Sequence, residues 1–591
     1  AAVRGEYDIP RDENLKLRDY PTIAHAVQFV RERRPDLAPR PEPEPTTVTP
    51  AAPAAEGQDE VTATVLSIVS GITGYPTDML DLDLDLEADL GIDTVKQAET
   101  FAAIREHYGS PRDANLQLRN YPSIAHAIQF GHERAPEAAS AAVGIDESAG
   151  AAAGDTAAAA ISGSLAAAEA LPRRVPQAVL RPPLALCKDS DVTLGAGSRV
   201  VLMPDEGGVG KALAGRLEKL GVSVLTLDPA ADRAAVQARL SEWQQEGPVT
   251  GVYWLPALDI EPALNELDLG QWRSALERRV KLLYAAMRTL YQQFAGAGTF
   301  LVSATRLGGL HGYEEQGALA PMGGAVSGFT KAFSRERPAA MVKVVDFEDS
   351  RKTASLADLL LDETRKDPGV VEVGIRDGWR WSVATVEQPV ADGEPGMVLD
   401  KNSVFAVTGA AGSIVSAITA DLAGHSGGIF YLLDMVPEPD PGNDEIRRVG
   451  SDRDGLKRDI FERLKATAER VTPAMVEQEL AGLERANAAL VAIEAVQAAG
   501  GTARYLQVNL TDSDAVAAAV DTIRQEQGRI DVLLHAAGIE RSHILPDKPD
   551  EEFDLVFDVK CDGWFNLLRA IGDMPLAATV AFSSIAGRFG N

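Results

Sequence analysis

The stretch that decides the fold is VFAVTGAAGSI, residues 404–414. A run of apolar residues typical of a buried strand leads into a glycine turn, and a helical pattern follows. Gly409 allows the tight turn, and Gly412 lets backbone amides approach a bound pyrophosphate. This order of strand, turn and helix predicts the start of a doubly wound parallel sheet that binds a dinucleotide.

Later stretches continue the same sheet in order. The strand GGIFYLLD ends at Asp434, 25 residues after Gly409, and RYLQVNLTD (504–512) is the next strand. IDVLLHAAG (530–538) and TVAFSSIAG (579–587) supply two more. An acid at the end of the second strand typically hydrogen-bonds the adenosine ribose and repels a 2′-phosphate. Asp434 by itself therefore favours NADH.

This series of motifs resembles the short-chain dehydrogenase/reductase family, and more closely the ketoreductase domain of modular polyketide and polyunsaturated-fatty-acid synthases. Residues 553–568, FDLVFDVKCDGWFNLL, are a predicted helix that carries Lys560. The resemblance implies that Lys560 belongs to the proton relay and that Ser584 hydrogen-bonds the substrate carbonyl, with Ser583 as a packing neighbour. The cofactor contacts that it implies come from the turn and the strand ends: Thr408, Gly409, Ala411, Gly412, Ser413, Ile414, Asp434, Asn509, Leu510, His535, Ala536, Ala537 and Gly538.

The resemblance also implies NADPH as the cofactor, which disagrees with Asp434. A helical insertion over residues 443–500 follows the second strand and carries four cations near its start, Arg447, Arg448, Arg453 and Lys457. One of them could compensate for the acid. The insertion could equally be a packing or interface feature, and both interpretations stay open.

The family's catalytic tyrosine follows its serine by about a dozen residues, which falls beyond Asn591. Because that tyrosine protonates the developing alkoxide, the chain as given is expected to lack the acid and to be inactive alone. The parent protein is expected to reduce 3-ketoacyl-carrier thioesters to 3-hydroxyacyl thioesters.

Residues 197–395 alternate strands and helices in the same way and predict a second Rossmann-like unit. Its glycine cluster, GGVG at 207–210, is weak evidence for a dinucleotide. Ser303 lies where the reductase serine would be, but Lys331 is preceded at the tyrosine spacing by Ser327. A structural, non-catalytic subdomain is favoured over a catalytic one.

The N-terminal part contains a repeat, since residues 7–30 recur at 108–130 with an offset of 101 positions. The second copy completes a unit, 58–135, that resembles a four-helix acyl carrier protein through EADLGID at 87–93. The first copy, 1–34, is predicted to be the tail of another carrier. Residues 35–57, rich in Pro and Ala, and 136–196, rich in Ala and Gly, are predicted linkers. The predicted fold class is a small all-α carrier followed by two Rossmann-like α/β units, 197–395 and 400–591.

A carrier needs a hydroxyl at a helix N-terminus to accept 4′-phosphopantetheine, because helix amides favour the anion there. The resemblance places this attachment at Thr94, where the family has serine. Threonine is also a good helix N-cap. A modified carrier and an unmodified one both remain open.

The formal net charge of −30 argues against nucleic acid or anionic membrane as a partner. Two cysteines offer no metal cluster, and no apolar run approaches the ~20 residues of a membrane helix. A cytoplasmic multidomain protein without a metal is predicted.

The partners implied by the resemblance are a ketosynthase, an acyltransferase, a dehydratase and a phosphopantetheinyl transferase, with a homodimer possible. One alternative is a non-catalytic carrier or scaffold segment. Another is a free-standing sugar or alcohol dehydrogenase of the short-chain family, which would have no use for residues 58–135.

Overall fold

The computed structural model describes residues 60–73, 77, 80–84, 86, 94–108, 123–132, 172–389, 396–466 and 471–590. The predicted carrier tail (1–34) and the linker at 35–57 lie outside the described residues. The described residues form a helical region and an α/β region.

The helical region contains α1 (Glu60–Thr73), α2 (Thr94–His107) and α3 (Ile124–His132). Apolar side chains at helical spacing, among them Val65 and Val69 of α1, are buried. The rings of Phe101 and Phe130 meet edge to face, with centroids 4.9 Å apart. Aromatic pairs in this geometry are stabilised beyond their buried area, so this contact holds α2 against α3.

The first α/β unit has an eight-stranded sheet. Its strands are β1 (Arg174–Leu180), β2 (Arg199–Met203), β3 (Ser223–Thr226), β4 (Gly251–Ala257), β5 (Phe300–Thr305), β6 (Met341–Phe347), β7 (Glu372–Arg376) and β8 (Trp379–Glu387). The order is β1-β8-β7-β6-β5-β4-β2-β3, with β2 to β7 parallel and β8 and β1 added antiparallel. Its helices are α4 (Val209–Lys219), α5 (Arg233–Glu246), α6 (Leu269–Leu276), α7 (Leu282–Leu290), α8 (Gly323–Glu336) and α9 (Thr353–Arg365). Side chains from alternate strand positions build one apolar core on each face of the sheet, as expected of a parallel sheet covered on both sides.

The linker predicted to run to residue 196 is wrong from Arg174 onward. Strand β1 pairs with β8 over its whole length, and Arg181 after it donates two 2.8 Å hydrogen bonds to Asp367. An edge strand is stabilised mainly by backbone pairing and such anchors. Its composition therefore did not distinguish it from the Ala-rich stretch before it.

The second α/β unit has five parallel strands in the order β11-β10-β9-β12-β13. They are β9 (Val404–Thr408), β10 (Ile429–Asp434), β11 (Thr502–Gln507), β12 (Val532–His535) and β13 (Ala578–Ala581). The helices are α10 (Ser413–Ser426), α11 (Asp444–Arg448), α12 (Arg453–Lys465), α13 (Pro473–Ala498), α14 (Ser513–Gln527), α15 (Asp550–Ile571) and α16 (Ile585–Phe589). The predicted fold class is confirmed. In this strand order the winding reverses between β9 and β12, and ligands bind at such a switch point beyond the carboxyl ends of the strands.

The insertion predicted over residues 443–500 consists of α11, α12 and α13. Leu456 and Ile460 pack on Val476 and Leu480 in a small core of their own. This separate core explains how a long insertion is accommodated beside the sheet without altering the strand order.

None of the helices within the described ranges has the length and apolar character needed to cross a membrane.

We expect Gly251→Ala to destabilise the first α/β unit by roughly 1–3 kcal/mol, because added atoms in a packed core force their neighbours apart. A Cβ at position 251 would lie 2.0 Å from the Phe300 ring. Urea unfolding measures the change. Gly215→Ala is the matched control, since nothing lies within 4 Å of its Cβ position in the helix α4. A loss at 251 no larger than at 215 would contradict this packing.

Candidate active site

A chain of hydrogen bonds ties the glycine turn to the helix that carries Lys560. The Thr408 hydroxyl oxygen accepts from the amides of Ala536 and Ala537 at 3.1 and 3.2 Å. It lies 3.0 Å from Nδ1 of His535. On the other side of that ring, Nε2 lies 3.2 Å from the carbonyl oxygen of Lys560. Strands β9 and β12 and helix α15 are thereby joined at one point.

The partners assign the tautomer of His535. A carbonyl only accepts, so Nε2 carries the proton, and Nδ1 accepts from the Thr408 hydroxyl. Burial lowers the pKa of His535 to about 4, which keeps the ring neutral, as this arrangement requires. Sequence reasoning placed His535 at the cofactor. The structure instead buries it beneath the site, with 1% of its surface exposed.

Lys560 lies on α15, as predicted, and its ammonium reaches the ends of β12 and β13. Nζ donates to the carbonyl of Phe582 at 3.2 Å. A Cβ at Gly538 would lie 3.1 Å from Cε and 3.2 Å from Nζ of Lys560, so position 538 must be small for the side chain to pass. Burial lowers the pKa of Lys560, which suits a group that exchanges protons.

Ser584 lies beyond the end of β13 and not within the strand as predicted. It is the N-cap of the short helix α16, and its hydroxyl oxygen accepts from the Ala586 amide at 3.1 Å. The side chain is exposed, as is that of Ser583. Phe582, the residue that Lys560 contacts, stands two positions before it, so both predicted catalytic residues are near the same strand end.

The glycine turn fits a pyrophosphate. Gly409 has φ +65°, and a Cβ there would lie 2.8 Å from the backbone of Ala537. Gly412 precedes the 14-residue helix α10 without a side-chain cap, and Ser413 and Ile414 after it are exposed. The first amides of the helix are therefore left available to an anion.

Asp434 ends β10 beside this turn. One carboxylate oxygen accepts from the Met435 amide at 2.8 Å and the other from the Ala411 amide at 3.3 Å. These bonds fix the carboxylate where an adenosine ribose would lie in a fold of this type.

The cations proposed to compensate for Asp434 are all paired with carboxylates inside the insertion or on its helices. The pairs are Arg447 with Glu494, Arg448 with Asp452 and Asp459, Arg453 with Glu477 and Glu484, and Lys457 with Glu477. The hypothesis that one of the four stands free for a 2′-phosphate is therefore not supported.

Two further predicted cofactor residues have local structural roles. The Asn509 side-chain oxygen accepts from the amide and hydroxyl of Thr511 at 3.1 and 2.9 Å. Leu510 is buried in the core of the sheet, and its carbonyl accepts from Asn566 at 2.8 Å. The side chain of Leu510 therefore does not reach the site.

The glycine turn of the first unit is closed by its own acid. The Asp205 carboxylate accepts from the amides of Val209 and Gly210 at 3.1 and 2.7 Å, the groups that would hold a phosphate. Asp259 accepts from the Glu206 amide at 2.6 Å. Carboxylates thus occupy the anion-binding amides, which agrees with the predicted non-catalytic role.

Ser303 and Lys331 of the first unit are equally engaged. The buried Ser303 hydroxyl accepts from Thr330 at 2.9 Å. Lys331 donates to the carbonyls of Gly587 and Arg588, at 2.8 and 3.1 Å. Both side chains are therefore held by structural partners.

Thr94 is the first residue of α2, the position that the carrier prediction requires of its backbone. Its side chain lies outside what the structure describes. Among the described residues, no group of three or more His, Cys, Asp or Glu side chains is arranged to hold a metal.

Two family models match the chain. The KR domain matches residues 466–591, and the phosphopantetheine attachment site matches residues 63–130. A polyunsaturated fatty acid synthase polypeptide from Thraustochytrium sp. is 27% identical over 564 residues, which are 89% of this chain and 19% of the relative. A 3-oxoacyl-[acyl-carrier-protein] reductase from Staphylococcus aureus is 31% identical over 103 residues, 17% of this chain and 42% of the relative.

A solved structure agrees with the fold. An N-terminal ketoreductase from the macrolactin assembly line superposes with a TM-score of 0.50 at 14% identity, covering 71% of this chain and 76% of that one. The chain spans less than half the length of the curated relatives named above. Together the matches show a segment like those of polyketide and polyunsaturated fatty acid synthases, with a phosphopantetheine-attachment region and a KR region.

We expect the free energy of unfolding to change with pH as His535 becomes protonated. Its folded pKa, about 4, lies below its ordinary value of 6.5, so the unfolded state takes up the proton first. The contribution of neutral His535 to the free energy of unfolding is present above pH 6.5. It is lost as the pH falls through 4, by up to roughly 3 kcal/mol. Urea unfolding between pH 4 and 7 should show a steeper loss in the wild type than in His535→Gln. The exposed His543→Gln is the control, and equal slopes in all three proteins would refute the assignment.

Proposed function

We propose that this chain supplies the cofactor-binding sheet and two catalytic residues of a reductase. In the full-length polyketide- or fatty-acid-synthase-like protein, that reductase converts 3-ketoacyl thioesters, tethered to a carrier, into 3-hydroxyacyl thioesters with a nicotinamide cofactor. The observation that carries the proposal is the position of Lys560. Its half-buried ammonium, with a lowered pKa, lies between Gly538 and the Phe582 carbonyl. This is the carboxyl end of β12, which borders the switch point where such sheets bind dinucleotides.

In this proposal the bound cofactor supplies the hydride that reaches the β-carbon. The amides at the start of α10 would bind its pyrophosphate, and Gly538 leaves room for the Lys560 side chain at the end of β12. The exposed hydroxyl of Ser584 donates to the substrate carbonyl and polarises it. Lys560, whose lowered pKa makes proton exchange accessible, passes a proton to the family's catalytic tyrosine, which protonates the alkoxide left by hydride addition.

The cofactor proposed is NADH in preference to NADPH. The fixed carboxylate of Asp434 would repel a 2′-phosphate, and the four insertion cations are engaged with acids. This departs from the NADPH expected from the family resemblance.

The carrier region supports the same reaction. We propose that Thr94, at the start of α2, accepts 4′-phosphopantetheine from a phosphopantetheinyl transferase. A ketosynthase would then supply the 3-ketoacyl group, and a dehydratase would consume the 3-hydroxyacyl product. These partner domains follow from the family resemblance.

We expect Lys560→Met and Ser584→Ala each to lower kcat by at least about 100-fold, the usual effect of losing a proton-transfer or carbonyl-polarising group. Turnover of a β-ketoacyl thioester by the full-length protein, followed by nicotinamide absorbance, measures it. Ser583→Ala and Lys401→Met are the matched controls, since both side chains are exposed. Folded protein without turnover would favour the carrier or scaffold alternative.

We expect Asp434→Ser to shift the ratio of kcat/KM values toward NADPH by at least tenfold, since about 1.4 kcal/mol of lost repulsion suffices for that change. Steady-state kinetics with each cofactor measures the ratio. Asp440→Ser, in the loop between β10 and α11, should leave the ratio of kcat/KM values unchanged. A wild type that already prefers NADPH would contradict the assignment to NADH.

A further inference from the structure

Helix α15 carries a stripe of four carboxylates spaced four residues apart, Asp550, Asp554, Asp558 and Asp562. Residues at this spacing lie on one face of a helix. Like charges four residues apart destabilise an isolated helix. The stripe therefore needs cations opposite it.

Every carboxylate of the stripe pairs with a cation of the first α/β unit. These cations lie on α5, α6, α7 and the segment between α6 and α7. The distances are 2.8 Å for Arg288 with Asp550, 3.1 Å for both Arg233 and Lys281 with Asp554, 2.7 Å for Lys281 with Asp558, and 2.7 Å for Arg273 with Asp562. Ion pairs thus run along three turns of α15.

Lys281 is the centre of this set. It is 7% exposed and bridges Asp554 and Asp558. It is also the last residue of a π-helical segment, Glu277–Lys281, and such segments often occur at functional positions. Breaking a buried pair on one side leaves an uncompensated charge, so these contacts resist any sliding or rotation of α15.

Aromatic stacking fixes the same helix at both ends of the stripe. Phe553 stacks on Tyr284 with ring centroids 4.0 Å apart, and Phe565 stacks on Trp272 at 4.9 Å. Lys560 stands between these two contacts and extends toward β12 and β13. The face that meets the first unit and the side chain that enters the site therefore belong to one rigid helix.

A small movement of α15 would displace Lys560. An atom at the 5–6 Å radius of a helix moves by about 1 Å when the helix turns by about 10°. A misplacement of ~1 Å at a reacting centre can lower a rate by about 100-fold. The position of α15 therefore bears directly on the relay.

We propose that the first α/β unit, whose own glycine turn is closed, positions Lys560 through the Lys281–aspartate pairs, and that Lys281 is a positioning residue of the reductase. This inference rests on the proposed function. It gives the non-catalytic unit a role in the rate of reduction, beyond its contribution to stability.

The test compares Lys281→Met, Lys281→Arg and Asp558→Asn in the full-length protein. We expect Lys281→Met to lower kcat at least about tenfold, with the KM for the cofactor changed less than about twofold because the cofactor contacts lie on other elements. Lys281→Arg should restore most of kcat. Arg239→Met is the control, since Arg239 pairs with Glu242 on the exposed side of α5. Asp558→Asn, nearly the same in shape, provides a second disruption if Lys281→Met folds poorly.

Hydrogen exchange of the peptide over residues 550–571 provides a readout that does not need turnover. Faster exchange of α15 in Lys281→Met, at an unchanged Tm, supports positioning. A folded Lys281→Met or Asp558→Asn protein with wild-type kcat overturns the inference. If the wild type does not turn over, the proposed function fails, and unchanged exchange of α15 in Lys281→Met would then overturn the positioning role as well.

Discussion

The neutral ring of His535 is the constraint on which the candidate site depends. It accepts from the Thr408 hydroxyl on one side and donates to the Lys560 carbonyl on the other. A protonated ring would lose its acceptor and place a charge in a buried position. Thr408 also accepts from two amides of the HAAG segment. One set of hydrogen bonds therefore connects the glycine turn, the end of β12 and the backbone of α15. Buried networks of this kind are stabilising only when every member is satisfied, and this one is.

Helix α15 extends that constraint to the rest of the α/β region. Its C-terminal half packs in the core of the five-stranded sheet, whereas Phe553 and Phe557 pack against the core of the eight-stranded sheet. A single element therefore belongs to two hydrophobic cores. The cations and apolar side chains that hold the N-terminal half of α15 come from the first unit, whose own anion-binding amides are occupied by Asp205.

Much of this arrangement was predictable from sequence, and the parts that were not share a cause. The strands β9, β10 and β12 were predicted because buried parallel strands read as continuous apolar runs between turns. The helix that carries Lys560 was predicted from the sequence, and the resemblance supplied the role of the residue. Strand β1 was missed because an edge strand is defined by its pairing partner. The aspartate stripe was not recognised as a contact surface. The spacing of its residues shows that they share one helix face, but not whether that face is exposed to solvent or paired with cations. His535 was assigned to the cofactor because the HAAG motif gives the order of residues and not which of them point inward.

The closed glycine turn of the first unit has a consequence for binding stoichiometry. The Asp205 carboxylate belongs to the same loop as the amides that it occupies, so its effective concentration at those amides is high whatever the solution contains. A dinucleotide would have to displace it from the amides of Val209 and Gly210, and would meet its negative charge in doing so. Of the two Rossmann-like sheets among the described residues, one therefore has its anion-binding amides occupied by its own carboxylate, so cofactor titrations should saturate at one equivalent per chain.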